Sequence, residues 1–319
     1  MENWLAALPR AEAPRLAVVE DRGAPVAACF VGRRLLRRHR FVLSRSLFLN
    51  TTGDDAYDEL CLEHNALLAA DGAVSLATVV RLLPRNWDEL HLPACDHRAF
   101  KTLTETLSGR DMRVRVDRDV ANYHVDLAKV REQGYIPLLG SSTRAQMRKA
   151  QRAAGAITID IARDEAEAAD IYRELVLLHQ ESWRTRGQPG AFADPWFDGF
   201  HRRLIAQRFR HGEIQLIRVK NAQLTIGCLY NFVSAGRVLF YQSGFGVPAD
   251  RALRPGYLCH AIAIEHCAKQ GHAIYDLLGG DARYKQSLAT DESRLVWGRV
   301  QKRRPQFALE DLARAWLDR

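Results

Sequence analysis

The residues with chemical reach gather in one stretch, YQSGFGVPADRALRPGYLCHAIAIEHCAKQGHAIYDLLGGDARYKQSLA, from Tyr241 to Ala289. A strand pattern there runs into a turn holding Arg251, Arg254 and Gly256, and a helical pattern begins at once. A helix N-terminus presents N–H groups without intrahelical partners and the positive end of the helix dipole, so a basic, glycine-containing turn can seat a pyrophosphate. A plain Pro-Gly helix start with solvated arginines is the other reading of the same residues. His179 lies four residues after Leu175 and four before Trp183, close to an apolar stripe. Its imidazole titrates near neutrality and is a candidate base, or else a hydrogen-bonded core histidine. His260, in the first turn after Pro255-Gly256, either neighbours a bound phosphate or packs. Arg144, Arg148, Lys149 and Arg152 recur at helical spacing and form one basic face, either an anion site or a solvated surface.

These groups need elements to hold them. The segment RLAVVEDRGAPVAACFVG places two apolar runs around an Asp-Arg-Gly turn, a hairpin pattern, and IQLIRVKNAQLTIGCLYNF repeats that shape. At an ungapped offset of 200 residues Leu16 falls on Leu216, Val19 on Val219, Asp21 on Asn221, Val26 on Ile226 and Phe30 on Tyr230. After the first hairpin come an extended stretch (41–49), helical stretches (56–70 and 74–83) and the strand WDELHLPA. After the second come RVLFYQSGF, a helical stretch (256–270) and AIYDLLGG. Two copies of a hairpin, strand, helix, strand order predict a tandem duplication of one mixed α/β unit. Between them SSTRAQMRKAQRAAG reads as a helix with Ser or Thr caps, ITIDIA as a strand, and DEAEAADIYRELVLLHQESW as a long amphipathic helix. The domain division is set at 1–140 and 141–319.

Composition bounds the class. The 319 residues are 47% hydrophobic and 26% charged, which excludes global disorder, collagen and coiled coil. Lys and Arg exceed Asp and Glu by 46 to 38, giving +8, so phosphates, CoA-like molecules, nucleic acid and membrane surfaces are all suitable partners. The dense run RRLLRRHR (33–40) suits anionic lipid, glycan or RNA, or an exposed loop. Six scattered cysteines lack C-x-x-C spacing, so neither a zinc site nor a disulfide framework is expected, and a reduced, cytoplasmic protein follows. No run approaches the ~18 uncharged apolar residues of a membrane span, so the expected location is cytoplasmic or at the inner face of the membrane.

The pieces STRAQMRKAQR, LVLLHQESWRTRGQPGAF, IGCLYNF, YQSGF, RPGYLCHAIAIEHCAKQG and YDLLGGDARYK together resemble the GNAT acyltransferase superfamily. More narrowly they are similar to CelD-like acetyltransferases of cellulose and exopolysaccharide synthesis, which are akin to Fem-type aminoacyltransferases. The resemblance covers roughly 135–300 and implies an α/β fold of tandem GNAT-like domains, the N-terminal one degenerate. It implies an N-acyltransferase that moves an acyl group from acyl-CoA, acetyl or longer, or from an acyl-carrier protein, to an amine of an envelope sugar, lipid precursor or peptide, without a metal. The implied donor site is Gln242, Ser243, Gly244, Arg251, Arg254, Gly256 and Tyr257; Arg144, Arg148, Trp183 and Lys285 are implied on the substrate and anion side. Such a transfer needs an acid for the departing thiolate and a base for the amine. Tyr284, just beyond a strand end, is the candidate acid, with a sheet-closing aromatic as its other reading; Asp281 orients the amine or takes its proton, and His179 is the further base. The superfamily pattern R/Q-x-x-G-x-G/A keeps its basic residues and one glycine here but ends in Leu258, which leaves acyl-CoA, a carrier protein and aminoacyl-tRNA as donors. A Fem-type, tRNA-dependent transferase is the alternative, weakened by the lack of a long helical-arm insertion; a non-catalytic RNA- or complex-binding module is the third reading.

Overall fold

A computed structural model describes residues 2–38, 42–58, 63–69, 74–109, 111–248 and 250–317. His39 and Arg40 of the basic run, and Cys61, lie outside them. In chain order the elements are α1 (Glu2–Ala7), β1 (Arg15–Asp21), β2 (Ala24–Arg38), β3 (Val42–Leu49), α2 (Asp55–Asp58), β4 (Leu68–Ala69), α3 (Leu76–Leu82), β5 (Glu89–Asp96), α4 (His97–Leu107) and β6 (Met112–Asp126). There follow α5 (Leu127–Gln133), α6 (Tyr135–Leu138), α7 (Ser141–Ala154), β7 (Ile157–Ile161), α8 (Glu165–Arg184) and α9 (Pro195–Arg208). The chain ends with β8 (Ile214–Asn221), β9 (Thr225–Ser234), β10 (Arg237–Phe245), α10 (Pro255–Lys269), β11 (Ile274–Gly279), α11 (Arg283–Leu288), β12 (Asp291–Lys302) and α12 (Pro305–Leu317).

The chain forms two compact units, 8–120 with 294–319 and 1–7 with 121–293. The divisions fall inside β6 and β12, whereas the sequence division stands at 140/141. In the first unit the order is β1-β2-β3-β5-β12, with β3 and β5 parallel and the other neighbours antiparallel. In the second it is β8-β9-β10-β11-β6, with β10 and β11 parallel and the rest antiparallel. The second unit adds the edge strand β7, antiparallel to β8; otherwise order and sense agree, and α3 and α10 each lie between the two parallel strands in the chain.

The match at 200 residues extends to hydrogen-bond register. Leu16 faces Phe30 and Leu216 faces Tyr230; the next pairs, Ala17 with Cys29 and Ile217 with Leu229, keep the offset. The ladder slips between Val19 and Glu20 in one hairpin and between Val219 and Lys220 in the other. A bulge adds a local bend that must suit the packing beneath it. Its recurrence at the same place makes the two hairpins copies, and the chain is a tandem duplication of one mixed α/β unit.

Each copy has its own core. In the first, Cys29, Val31, Leu47, Leu90 and Leu92 pack with Val80, Phe100 and Leu103 of α3 and α4. In the second, Ile217, Val219, Leu229 and Val238 pack with Leu258, Cys259, Ile264 and Cys267 of α10. Helix α8 starts where Asp164 accepts from the Glu167 N–H at 2.8 Å and the Glu167 carboxylate accepts from the Arg163 N–H at 2.9 Å. Helix α9 starts on Asp194, which accepts from the Trp196 N–H at 2.8 Å, with Pro195 at the first position. Two local expectations are corrected. Helix α7 is preceded by Gly140 and has no Ser or Thr side-chain cap, and the helix expected over 56–70 is confined, among the described residues, to Asp55–Asp58, with a strand at Leu68–Ala69.

Candidate active site

Strands β10 and β11 pair at Arg237–Ile274, Val238–Tyr275 and Leu239–Asp276 and then part. Beyond that point β10 runs along β9 to Phe245, and β11 meets β6 again at Gly279 and Asn122. Each strand carries an irregularity at the parting. The β10 register slips between Phe240 and Gln242, and the β11 register slips between Asp276 and Gly279, where Leu278 has φ 64° and donates its N–H to Asp276 Oδ1 at 2.8 Å. Such bulges bend and twist a strand away from its neighbour, which opens a wedge between two parallel strands. In the first copy β3 and β5 pair at Ser46–Glu89 through Phe48–His91, and β3 ends one residue later at Leu49. Only the second copy prolongs the third strand past its parallel partner.

Helix α10 begins beside this wedge. Its cap residue Arg254 is left-handed, with φ 44°, and gives no side-chain cap; Pro255 has no N–H, and the Leu258 N–H bonds to the Arg254 carbonyl at 3.3 Å. By helix geometry the Gly256 and Tyr257 N–H groups have no intrahelical acceptor and are therefore candidate donors to an anion. Nothing in the packing demands glycine at 256, since a Cβ there would meet Phe245 Cε2 at an ordinary 3.4 Å. Arg251 and Arg254 are exposed, the latter with its guanidinium 5.7 Å from the Tyr257 ring centre.

Helix α11 is tied to that first turn. Ser287 Oγ donates to the Tyr284 carbonyl at 2.8 Å, so the Tyr257 hydroxyl, also at 2.8 Å, is the donor to Ser287. Tyr284 is half-buried, with its ring 6.0 Å from that of His260 at 23°, and burial pushes its phenol up to about 12. His260 is buried and approaches the Tyr275 hydroxyl at 3.2 Å through Nδ1; burial, then the Lys285 charge, pull its pKa down to about 3, so the ring is neutral. Lys285 donates to the Leu278 and Gly279 carbonyls at 3.3 and 2.7 Å and so closes the end of β11. Asp281 is exposed in the turn before α11.

On the other side of β10 stands α8. His179 Nδ1 lies 3.0 Å from the Ser243 carbonyl, which can only accept, so Nδ1 carries the proton and Nε2 the lone pair. Nε2 is buried without a hydrogen-bond partner, and burial lowers the His179 pKa, which keeps the lone pair free at neutral pH. Phe192 meets the ring edge-on at 4.9 Å, and Trp183, partly exposed, lies 5.8 Å away with Arg186 over its own ring. Gly244 makes this approach feasible: a Cβ would stand 2.3 Å from the Leu175 carbonyl oxygen and 3.0 Å from the His179 nitrogen. Its role on this face is helix packing.

The structure thus joins Arg254, Gly256, Tyr257 and Tyr284 in one connected group, and Ser243, Gly244 and His179 in another, with β10 common to both. Gln242 is half-buried between them in β10. Arg144 is turned elsewhere, donating to the Pro137 and Leu139 carbonyls at 3.2 and 2.9 Å, while Arg148, Lys149 and Arg152 are exposed on α7. Sequence reasoning missed Asp276, which is fully buried at the last pair before the wedge, pairs with Arg237, and accepts from Asn122 Nδ2 at 3.2 Å. The available signal was a lone carboxylate inside the apolar run IYDLLG.

Residues 141–286 match the family model described as Acetyltransferase (GNAT) domain. The match runs from α7 into α11 and so takes in the wedge, the α10 turn and Tyr284. No curated protein matches the chain. Among solved structures, FemX is similar at 9% identity with a TM-score of 0.58, over 97% of this chain and 92% of that one. The C-terminal DUF2156 domain of an Agrobacterium fabrum protein assigned as a lysylphosphatidylglycerol synthetase gives 11%, 0.55, 97% and 91%, and L-PGS from Bacillus licheniformis 10%, 0.53, 98% and 96%. At these identities the likeness is one of fold. Residues 141–286 thus carry a GNAT acetyltransferase domain, which supports an acyltransferase, and the fold is a tandem of GNAT-like α/β units. Among the described residues no helix is long and apolar enough to cross a membrane, and no three His, Cys, Asp or Glu side chains cluster for a metal.

Proposed function

We propose that the second copy transfers an acyl group from a thioester to an amine, with the donor's acyl arm in the β10–β11 wedge and its phosphates on the Gly256 and Tyr257 N–H groups. The single observation that carries this reading is the parting of β10 from β11 beside an uncapped, basic helix start. In this arrangement Arg251 and Arg254 add charge to the phosphate seat. The amine nitrogen attacks the thioester carbonyl, a backbone N–H of β10 steadies the oxyanion, the C–S bond breaks, and the Tyr284 hydroxyl protonates the leaving thiolate. The amine proton passes to His179 Nε2 through water, with Asp281 orienting the acceptor. Trp183, near His179, offers a partly exposed ring against which an acceptor sugar can stack. The acceptor is an amine of an envelope sugar, lipid precursor or peptide, as in the CelD-like group.

A second donor class has one observation in its favour. The α10 turn departs from the superfamily motif, with Arg254 among its positions and the Leu258 side chain buried in the core; that departure favours an aminoacyl-tRNA, as in Fem-type enzymes, as the second donor. A panel of acyl-CoA thioesters, acyl-carrier proteins and aminoacyl-tRNAs, assayed for amine-dependent thiol or tRNA release, separates the two. Thiol release is the expected result, and release from tRNA alone would replace the donor assignment. Replacing Arg251 and Arg254 together by Ala is expected to weaken a phosphate-bearing donor roughly tenfold with an unchanged melting temperature, because exposed charges contribute little to folding. Calorimetric titration with the donor checks this, and unchanged affinity would move the phosphate seat away from the α10 turn.

A further inference from the structure

The basic run in β2 is sorted by strand alternation into two sets. Arg34 and Arg38 turn inward, Arg34 to Glu12 and Asp54, Arg38 to the buried Glu89 and Glu310. Arg33, Leu35 and Arg37 lie on the face that carries Cys29 and Val31 nearer the start of β2, but are exposed, as are Leu43 and Arg45 on β3. In the antiparallel register Leu35 stands opposite Arg45 and Arg37 opposite Leu43, so arginine and leucine alternate both along and across the two strands. Leu35 is 68% exposed and Leu43 50%. Asp88 holds Arg45 at 2.9 Å. Beside it, burial first and then Arg304 press down the pKa of Lys302; Asp88 pulls it up, by more than Arg45 or Arg85 each press it down.

We infer that this β2–β3 face of the first copy docks the enzyme on an anionic lipid surface, with the arginines among the headgroups and Leu35 and Leu43 at the acyl boundary. Charge complementarity selects anionic lipid, and exposed leucines set among arginines are what a headgroup layer receives. A protein partner would call for an interface centre depleted of charge. Single-stranded RNA would call for stacking aromatics, and the exposed described positions of β2 and β3 on this face are arginine and leucine. The inference is independent of the thioester reading, because none of these side chains belongs to the candidate active site.

The test is flotation of the full chain with vesicles of phosphatidylcholine alone and of phosphatidylcholine mixed with phosphatidylglycerol, over a salt series. Binding to the mixed vesicles only, falling as salt rises, is expected. Arg33→Ser should weaken it roughly fivefold, the loss of about one arginine near an anionic surface. Leu35→Ser with Leu43→Ser should abolish the part that survives high salt. Thermal melts and thioester turnover on a water-soluble amine should be unchanged in both variants, which separates this inference from the catalytic one and guards against misfolding. Absence of binding by the unaltered chain, salt-independent binding, unchanged binding in either variant, or displacement from vesicles by single-stranded RNA that the leucine variant binds equally well would each overturn it.

Discussion

Tyr284→Phe is expected to lower turnover by roughly one hundredfold or more, the usual contribution of a positioned general acid, with donor affinity unchanged. The substitution keeps the ring that lies against His260 and the backbone carbonyl that receives the Ser287 hydroxyl, so α11 stays attached to the first turn of α10. Only the proton donor is lost. The pH dependence carries a second signature. With its phenol pushed up to about 12 by burial, Tyr284 is protonated across the neutral range and gives no falling limb in kcat/KM there. The rising limb is expected to follow His179, the proposed base: as pH falls through its pKa the base is protonated and activity should drop, and because burial lowers that pKa, the drop should come below the ordinary histidine value of about 6.5. Single-turnover assays at saturating donor, run across pH, check both statements. Full activity in Tyr284→Phe would reduce the residue to packing and leave positioning, with His179, as the source of rate.

Much of this was legible because periodicity and turn chemistry are local. The hairpins at 16–30 and 216–230 were readable from apolar alternation around Asp-Arg-Gly and Asn-Ala-Gln, and their pairing follows the same residues down to the bulge. The α10 start was readable from Pro255 and Gly256. The wedge was not, since it depends on where two strands distant in sequence stop pairing, and its bulges fall at Tyr241 and Leu277–Leu278 without any turn residue to mark them. The division of the chain was misplaced for a related reason. MRVRVDRDVANYHVD alternates, yet its charged residues hide a long strand that serves one copy at its start and the other at its end. His179 and Ser243 illustrate a third limit: helical spacing put His179 beside the apolar stripe, but only tertiary contact fixes which ring nitrogen keeps the lone pair.

Glu89→Ala is expected to destabilise the first copy by about 3 kcal/mol, the lower end of the cost of breaking a buried ion pair. Glu89 is fully buried at the start of the β3–β5 ladder, where it pairs with Arg38 and accepts from Ser46 Oγ at 3.0 Å and Gln301 Nε2 at 2.9 Å. Removing it leaves those donors with desolvated N–H and O–H groups; the cost stays at the lower end because Glu310 still holds Arg38 at 3.1 Å. Burial alone would raise the Glu89 pKa, but His91, Arg38 and Gln301 outweigh it and hold the carboxyl far below its ordinary value. A carboxylate depressed in the folded state binds its proton more readily in the unfolded chain, so its stabilisation is complete above the unfolded value of about 4.3 and is lost as pH falls below it. Glu89→Gln keeps the shape and cannot titrate. The stability gap between the unaltered chain and Glu89→Gln, measured by urea unfolding, should therefore shrink from about pH 5 to pH 3 and be constant above pH 6. A gap independent of pH would mean that the Arg38, Glu89 and Glu310 group supplies shape and not charge.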